Sequence, residues 1–143
     1  MKHLLDTCVL SELRKPAADP GLVDWARRAD EPGLYLSVLS IGEIQRGIAR
    51  LDDGRRKQDL QHWLEHELLA RFSGRILPVE LEAALEWGLV GAARERCGRP
   101  APVMDSLIAA TAIVHNLVLV TRNQKDFSGY AVKVLNPWSA AVG

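Results

Sequence analysis

The sequence has little cysteine, no long apolar run and no excess of either charge. Cys8 and Cys97 are the only cysteines in 143 residues. They stand far apart, with no C-x-x-C and no ligand spacing toward histidine. That excludes a disulfide-stapled scaffold and a structural zinc site, and it fits a reducing compartment such as the cytosol. No apolar stretch approaches the roughly 18 residues of a membrane-spanning helix. The opening "MKHLLDTCVLSEL" carries an acid directly after two leucines, so it does not read as a secretory signal peptide. With 18 basic and 18 acidic residues, net charge neither favours nor excludes a nucleic-acid partner and leaves room for a local basic groove. Also missing are G-x-x-x-x-G-K-[ST], G-x-G-x-x-G and G-x-S-x-G, which excludes the nucleotide-binding loops and serine-nucleophile turns those motifs build. A phospho-aspartyl enzyme would want a second acid two residues after Asp6, where Cys8 stands instead. Four histidines are scattered through the chain. Only His62 and His66 share helical spacing, and they do so on a charged helix, which is weak ground for a metal site.

What is present is an ordinary globular composition, 48% hydrophobic and 25% charged, over a length that fits one domain, 1–143. Short apolar strands read out as "HLL", "LYLS", "RILPV", "LVLVT" and "AVKVL". Helical patterns lie between them. Thr7 to Leu13 is a short one, stopped by Pro16. "DPGLVDWARRA" has Asp19 as cap and Pro20 in the first turn. "VLSIGEIQRGIARL" follows, then a polar break at "DDGRRK" and a second amphipathic helix, "QDLQHWLEHELLARF". "ELEAALEWGLVGAARERCG" is a long helix ended by Gly98, and "VMDSLIAATAIVHN" is apolar nearly all round and hence buried. Strands alternating with helices predict an α/β fold of three layers, α/β/α, with a short parallel sheet flanked by helices. In such sheets ligands bind at the carboxyl ends of the strands.

Acids gather at that edge. Asp6 follows the first strand, Glu43 comes six residues after "LYLS", Asp105 opens the buried helix, and Asp126 and Asn123 follow "LVLVT". Each acid has a plain structural reading. Asp6 suits the cap of the helix it precedes, "SIGE" at 40–43 matches a capping box, Asp105 with Ser106 suits a helix start, and Asp126 suits a turn. None of these explains why all four fall on one edge. Carboxylates crowded together raise one another's pKa unless a cation neutralises them, and hard oxygen donors suit Mg²⁺ or Mn²⁺.

Together, "LLDTCVLSEL", "LSVLSIGEIQRGI", "MDSLIAATA", "LVTRNQKDF" and the closing "LNPW" resemble PIN-domain ribonucleases, above all the VapC and FitB toxins of toxin–antitoxin pairs. The resemblance runs over essentially the whole chain. It implies a Mg²⁺- or Mn²⁺-dependent endoribonuclease whose acids are Asp6, Glu43, Asp105 and Asp126, with Asp6 and Asp105 foremost as metal ligands. Thr7, Thr121 and Asn123 would orient carboxylates or water. Two positions depart from the family's pattern: Cys8 stands where Asn is frequent, and Asn123 where an acid is frequent. Candidates for contact with the RNA backbone are Arg14, Lys15, Arg46, Arg50 and Arg122.

The resemblance further implies a small cognate antitoxin, a homodimer, and a hetero-oligomer of toxin and antitoxin on operator DNA. Helices over 20–29 and 56–72 would offer the antitoxin an apolar groove. Val23, Trp25, Leu60, Trp63 and Leu64 supply more apolar surface than a surface helix needs. A catalytically silent PIN-like RNA-binding or scaffold module is the competing reading, and loss of a core acid would favour it.

Overall fold

The computed structural model describes residues 1–139; residues 140–143 of the expected single domain lie outside the described residues. Its centre is a five-stranded, wholly parallel sheet: β1 (His3–Leu5), β2 (Leu34–Ser37), β3 (Ile76–Leu77), β4 (Val118–Val120) and β5 (Val134–Leu135), in the order β3-β2-β1-β4-β5. The chain moves outward from β1 to β2 and β3, then returns to the other side of β1 with β4. The strand order therefore reverses at the β1–β4 pair, in register at Leu5 and Val120. Reversal leaves a crevice beyond the carboxyl ends of those two strands.

Side chains alternate along each strand, so both faces of the sheet need cover. Leu5, Leu34, Leu36 and Val120 face one core cluster with Val9, Leu10, Leu22, Ile44, Ile48, Leu64, Leu68 and Phe72. These come from α1 (Thr7–Leu13), α2 (Pro20–Arg28), α3 (Val38–Ala49) and the segment over 55–71 with the residue after it. Leu4 and Leu119 point the other way, into a cluster with Val90, Ile108, Ala109, Ala110, Ala112, Phe127 and Tyr130. Those belong to α6 (Leu81–Arg96), α7 (Val103–Val114), α8 (Gln124–Phe127) and the turn after it. The expected three-layer α/β/α fold is present, and burial on both faces is why its strands are apolar throughout.

Several local expectations need correction. The stretch "DDGRRK" is not wholly a break: Gly54, at φ 156°, opens a helix whose first residue is Arg55. The amphipathic helix after it is not uniform. It divides into α4 (Arg55–His62), a π-helical segment at Trp63–Leu68, and α5 (Leu69–Arg71). "RILPV" and "AVKVL" contribute only two paired residues each, because they lie at the edges of the sheet with one strand neighbour apiece. Asp126 sits in the first turn of α8 rather than in a turn.

The capping box at 40–43 does not form. Ser37 caps α3, accepting the Leu39 N–H at 3.1 Å. Ser40 is thereby carried inside the helix, fully buried, where its hydroxyl has no hydrogen-bond partner among the described residues. Asp105 is likewise not a cap, since α7 starts from Pro102 without a side-chain cap.

Asp19 does cap α2, accepting the Leu22 N–H at 3.0 Å, and the same oxygen accepts the Ser139 N–H at 2.8 Å. The chain after β5 is thus drawn against α2. The approach is so close that a Cβ at Gly21 would lie 2.7 Å from the Pro137 carbonyl oxygen.

Candidate active site

The switch-point crevice is built from the residues that end β1 and β4. Asp6 follows β1, and its N–H continues the sheet to the Val120 carbonyl at 3.0 Å. Its carboxylate then serves two tasks. Oδ1 accepts the Thr7 N–H at 2.9 Å as the cap of α1, and Oδ2 accepts the Thr121 hydroxyl at 2.8 Å. Thr121 is fully buried and also accepts the Asn123 N–H at 3.0 Å. The Cys8 thiol lies 3.8 Å from the same Asp6 oxygen and 3.5 Å from the Thr121 hydroxyl. Burial pushes that thiol above its ordinary pKa, so it stays a neutral weak donor. The Thr7 hydroxyl, one residue after Asp6, donates to Glu43 Oε1 at 3.0 Å. A single Asp-Thr pair at the end of β1 therefore reaches both β4 and α3.

Asp105 and Asp126 arrive from the other layer, in the first turns of α7 and α8. The Asp105 carboxyl is raised above its ordinary value, first by burial and then by the negative charges of Asp126, Asp6 and Glu43, in that order; the Arg94 guanidinium opposes the rise. The four acids expected from sequence therefore share one electrostatic field. They do not share one point: among the described residues, no three His, Cys, Asp or Glu side chains stand where they could hold a metal ion as they are. Mutual repulsion in a partly desolvated site is a sufficient reason for that spacing. The donor set, carboxylates and hydroxyls, fits a hard divalent cation and no soft one.

Of the candidate RNA contacts, Arg14 lines a cleft that also holds Thr7, Glu43, Arg56, Leu60 and Trp63. Arg56, which nothing in the charged run "DDGRRK" singles out, faces that same cleft. Lys15 is paired with Glu12 at 3.2 Å. Arg46, Arg50 and Arg122 are exposed, with Arg46 one turn beyond Glu43 on α3 and Arg122 directly after Thr121. Arg94 was also missed. A long amphipathic helix gives no sequence sign of which arginine will point inward.

The two helices expected to offer a groove, over 20–29 and 56–72, each border a cleft. A cleft of about 750 Å³ lies between the end of α1 and the helix over 55–67, lined by Leu13, Arg14, Arg55, Arg56, Leu60 and Trp63 among others. A second, of about 390 Å³, borders α2 at Pro20, Val23 and Arg27. Leu13 lines both. Trp25, Leu60, Trp63 and Leu64 pack largely on the chain's own core. Among the described residues, most of the large apolar side chains left exposed are on α6 and at the start of α7, namely Leu81, Leu85, Trp87, Leu89, Val103 and Met104; Met1 and Val38 are the others. His62 and His66 are exposed, with ring centroids 4.5 Å apart, and no metal-holding group forms around them.

Residues 3–133 match the model of the PIN domain. The chain is 33% identical over 138 residues to VapC ribonuclease Y4jK of Sinorhizobium fredii, covering 96% of this chain and 99% of that one. It is 35% identical over 135 residues to toxin FitB of Neisseria gonorrhoeae, covering 94% and 97%. A solved structure of FitAB bound to an IR36 DNA fragment superposes with a TM-score of 0.89 at 33% identity, covering 95% of each chain.

Proposed function

The chain belongs to the PIN-domain family, and from that premise we propose that it is the ribonuclease toxin of a toxin–antitoxin pair, a metal-dependent endoribonuclease restrained by a small cognate antitoxin. The observation that carries the catalytic part is the gathering of acids around Asp105, whose carboxyl is raised first by burial and then by Asp126, Asp6 and Glu43 from three other elements. Four carboxylates gathered at one edge repel one another, and a cation held among them would remove that cost.

Asp6, Glu43, Asp105 and Asp126 would hold Mg²⁺ or Mn²⁺. When bound, such an ion polarises the scissile phosphodiester and lowers the pKa of a water enough to make a nucleophile near neutral pH. The chain's own part is orientation. Thr121 fixes one Asp6 oxygen, the helix start fixes the other, and the Thr7 hydroxyl holds one Glu43 oxygen. Asn123, neutral where the family often has an acid, lowers the negative charge of the site and weakens the case for a second ion. Arg14 and Arg56 would meet RNA phosphates on the approach to Glu43, without reading sequence.

The cleft at Leu13, Leu60 and Trp63, rimmed by Arg14, Arg55, Arg56, Asp59 and Glu67, suits an amphipathic segment of the antitoxin, and an arginine on that segment would satisfy the acids as a cation does. Self-association belongs on α6, whose exposed Leu81, Leu85 and Leu89 lie one turn apart on one stripe. A chain of this kind works where RNA is, and no helix among the described residues is long and apolar enough to cross a membrane.

The test is RNA cleavage by the purified chain with Mg²⁺ or Mn²⁺, with excess chelator, and with Asp6→Asn. Asparagine caps a helix about as well as aspartate, so the variant should fold and fail to cleave. Undiminished cleavage in chelator, or by the variant, would overturn the reading.

A further inference from the structure

Asp105 and Asp126 pose a positioning problem that the sheet does not solve. Asp6 is fixed by β1 and β4, but Asp105 follows the linker 97–102 and Asp126 stands on a four-residue helix. Behind both lies Arg94 of α6, only 7% exposed. Its Nε donates to the Pro100 carbonyl at 2.6 Å and its Nη1 to the Ser128 carbonyl at 2.6 Å. Pro100 is in the linker that leads into α7, and Ser128 ends α8 two residues after Asp126. The guanidinium face lies over the Tyr130 ring at 4.3 Å, and the Tyr130 hydroxyl is 2.7 Å from that of Ser106, the residue after Asp105. No carboxylate forms an ion pair with Arg94 among the described residues. Gly129, at φ 93°, lets the main chain come this close, since a Cβ there would lie 2.6 Å from the Arg99 guanidinium that also donates to Ser128.

We propose that Arg94 is a positioning residue for the acid cluster: its buried guanidinium ties the two segments that carry Asp105 and Asp126 to one helix. A desolvated charge is costly unless its hydrogen bonds are met. Here they are met by two main-chain carbonyls, one on each segment, so the charge stays comfortable only while both segments are in place. The planar fork does this and a point-charge ammonium does not. The inference rests on the reading of Asp105 and Asp126 as metal-holding acids.

The experiment uses the purified full chain and three variants, Arg94→Met, Arg94→Lys and Asp105→Asn. Mn²⁺ binding without RNA is read from the paramagnetic resonance of free Mn²⁺, alongside circular dichroism, kcat and KM. Loss of a group that orients metal ligands costs about 10–100-fold in metal affinity or activity. Arg94→Met is expected to lose Mn²⁺ affinity and kcat in that range with KM nearly unchanged. Arg94→Lys, which keeps charge and fold, should recover only part. Tighter Mn²⁺ binding by Arg94→Met, or full recovery by Arg94→Lys, would show that charge alone acts and would overturn the proposal. So would unchanged affinity in either folded variant. Should Arg94→Met fail to fold, Arg94→Lys carries the test. Asp105→Asn separates the two claims. If it binds Mn²⁺ as the unaltered chain does, the metal reading falls; if it loses binding while both Arg94 variants keep it, only the Arg94 proposal falls.

Discussion

Thr121→Val tests how the site holds its first acid. Valine keeps the shape and the β-branch and removes only the hydroxyl. That hydroxyl donates to Asp6 Oδ2 at 2.8 Å and accepts the Asn123 N–H at 3.0 Å, and Thr121 is fully buried. A hydrogen bond to a charged group contributes about 1.5–3 kcal/mol, and an orphaned buried amide costs about 1–3 kcal/mol. Part of the second is recoverable, because Asn123 itself is exposed. The loss of stability should therefore be about 2–4 kcal/mol, which leaves an ordinary domain folded.

Activity should fall by more than stability explains. Thr121→Val also frees one oxygen of Asp6, the acid proposed to hold the metal, and loss of a group that orients a metal ligand costs about 10–100-fold. At about 1.4 kcal/mol per tenfold, that equals roughly one charge-assisted hydrogen bond. The assay pairs urea unfolding at pH 7 with kcat on RNA, and Thr121→Ser, which keeps the hydroxyl, should restore most of both. A Thr121→Val chain as stable and as active as the original would refute the reasoning, since it would mean the hydroxyl holds nothing that matters.

Ser37→Ala should cost about 1 kcal/mol in chemical denaturation, as loss of a helix cap does, whereas Ser40→Ala should cost nothing or stabilise, because the Ser40 hydroxyl is buried without a partner; the reverse ranking would restore the capping box. Glu31 takes two hydrogen bonds from Arg71, at 2.7 and 2.9 Å, and these hold its carboxyl below the usual range. A depressed acid contributes stability that is present above its unfolded pKa, about 4.3, and is lost as pH falls through the folded value. Arg71→Met should remove that part of the acid sensitivity and little stability at pH 7, the pair being well exposed; an unchanged acid limb in thermal unfolding would count against it. Leu85→Glu with Leu89→Glu should turn a dimer into a monomer in light scattering, since each leucine would forfeit about 1.5–3 kcal/mol of burial. A variant that stays dimeric at the same concentration would place the contact elsewhere.

The sheet was legible because burial on both faces leaves short runs such as "HLL" and "LVLV" with no polar alternation, and helices between such strands cover both faces of a parallel sheet. That Asp6, Glu43, Asp105 and Asp126 lie near one another was legible because each falls at the carboxyl edge of the sheet. What could not be read was local competition. Ser37 and Ser40 are both serines near the start of the same helical pattern, and the choice between them depends on where β2 releases the chain. Arg55 and Arg56 looked like a break because a charged run without apolar period carries no helical signal, and packing of the later turns on the core decides that it is helical. Arg94 could not be told from its neighbours Arg96 and Arg99, because inward direction on a mostly exposed helix is set by what waits on the other side.

That distinction bears on how the site works. Asp6 is oriented by Thr121 at the end of β4 and by the start of α1, and Glu43 by Thr7, so this pair is held at the carboxyl ends of two neighbouring strands. Asp105 and Asp126 are oriented from behind by a residue of a third element, and no short motif records it. The acid edge is therefore two half-sites of different origin. One is held by the sheet and is insensitive to anything but its own hydroxyls. The other is held by α6, the helix whose opposite side is apolar and exposed. Any contact that shifts α6 acts directly on Asp105 and Asp126 through Arg94 and leaves Asp6 where β1 puts it. Weakened cleavage after a change on the α6 surface should accordingly appear with the Asp6–Thr121 contact intact.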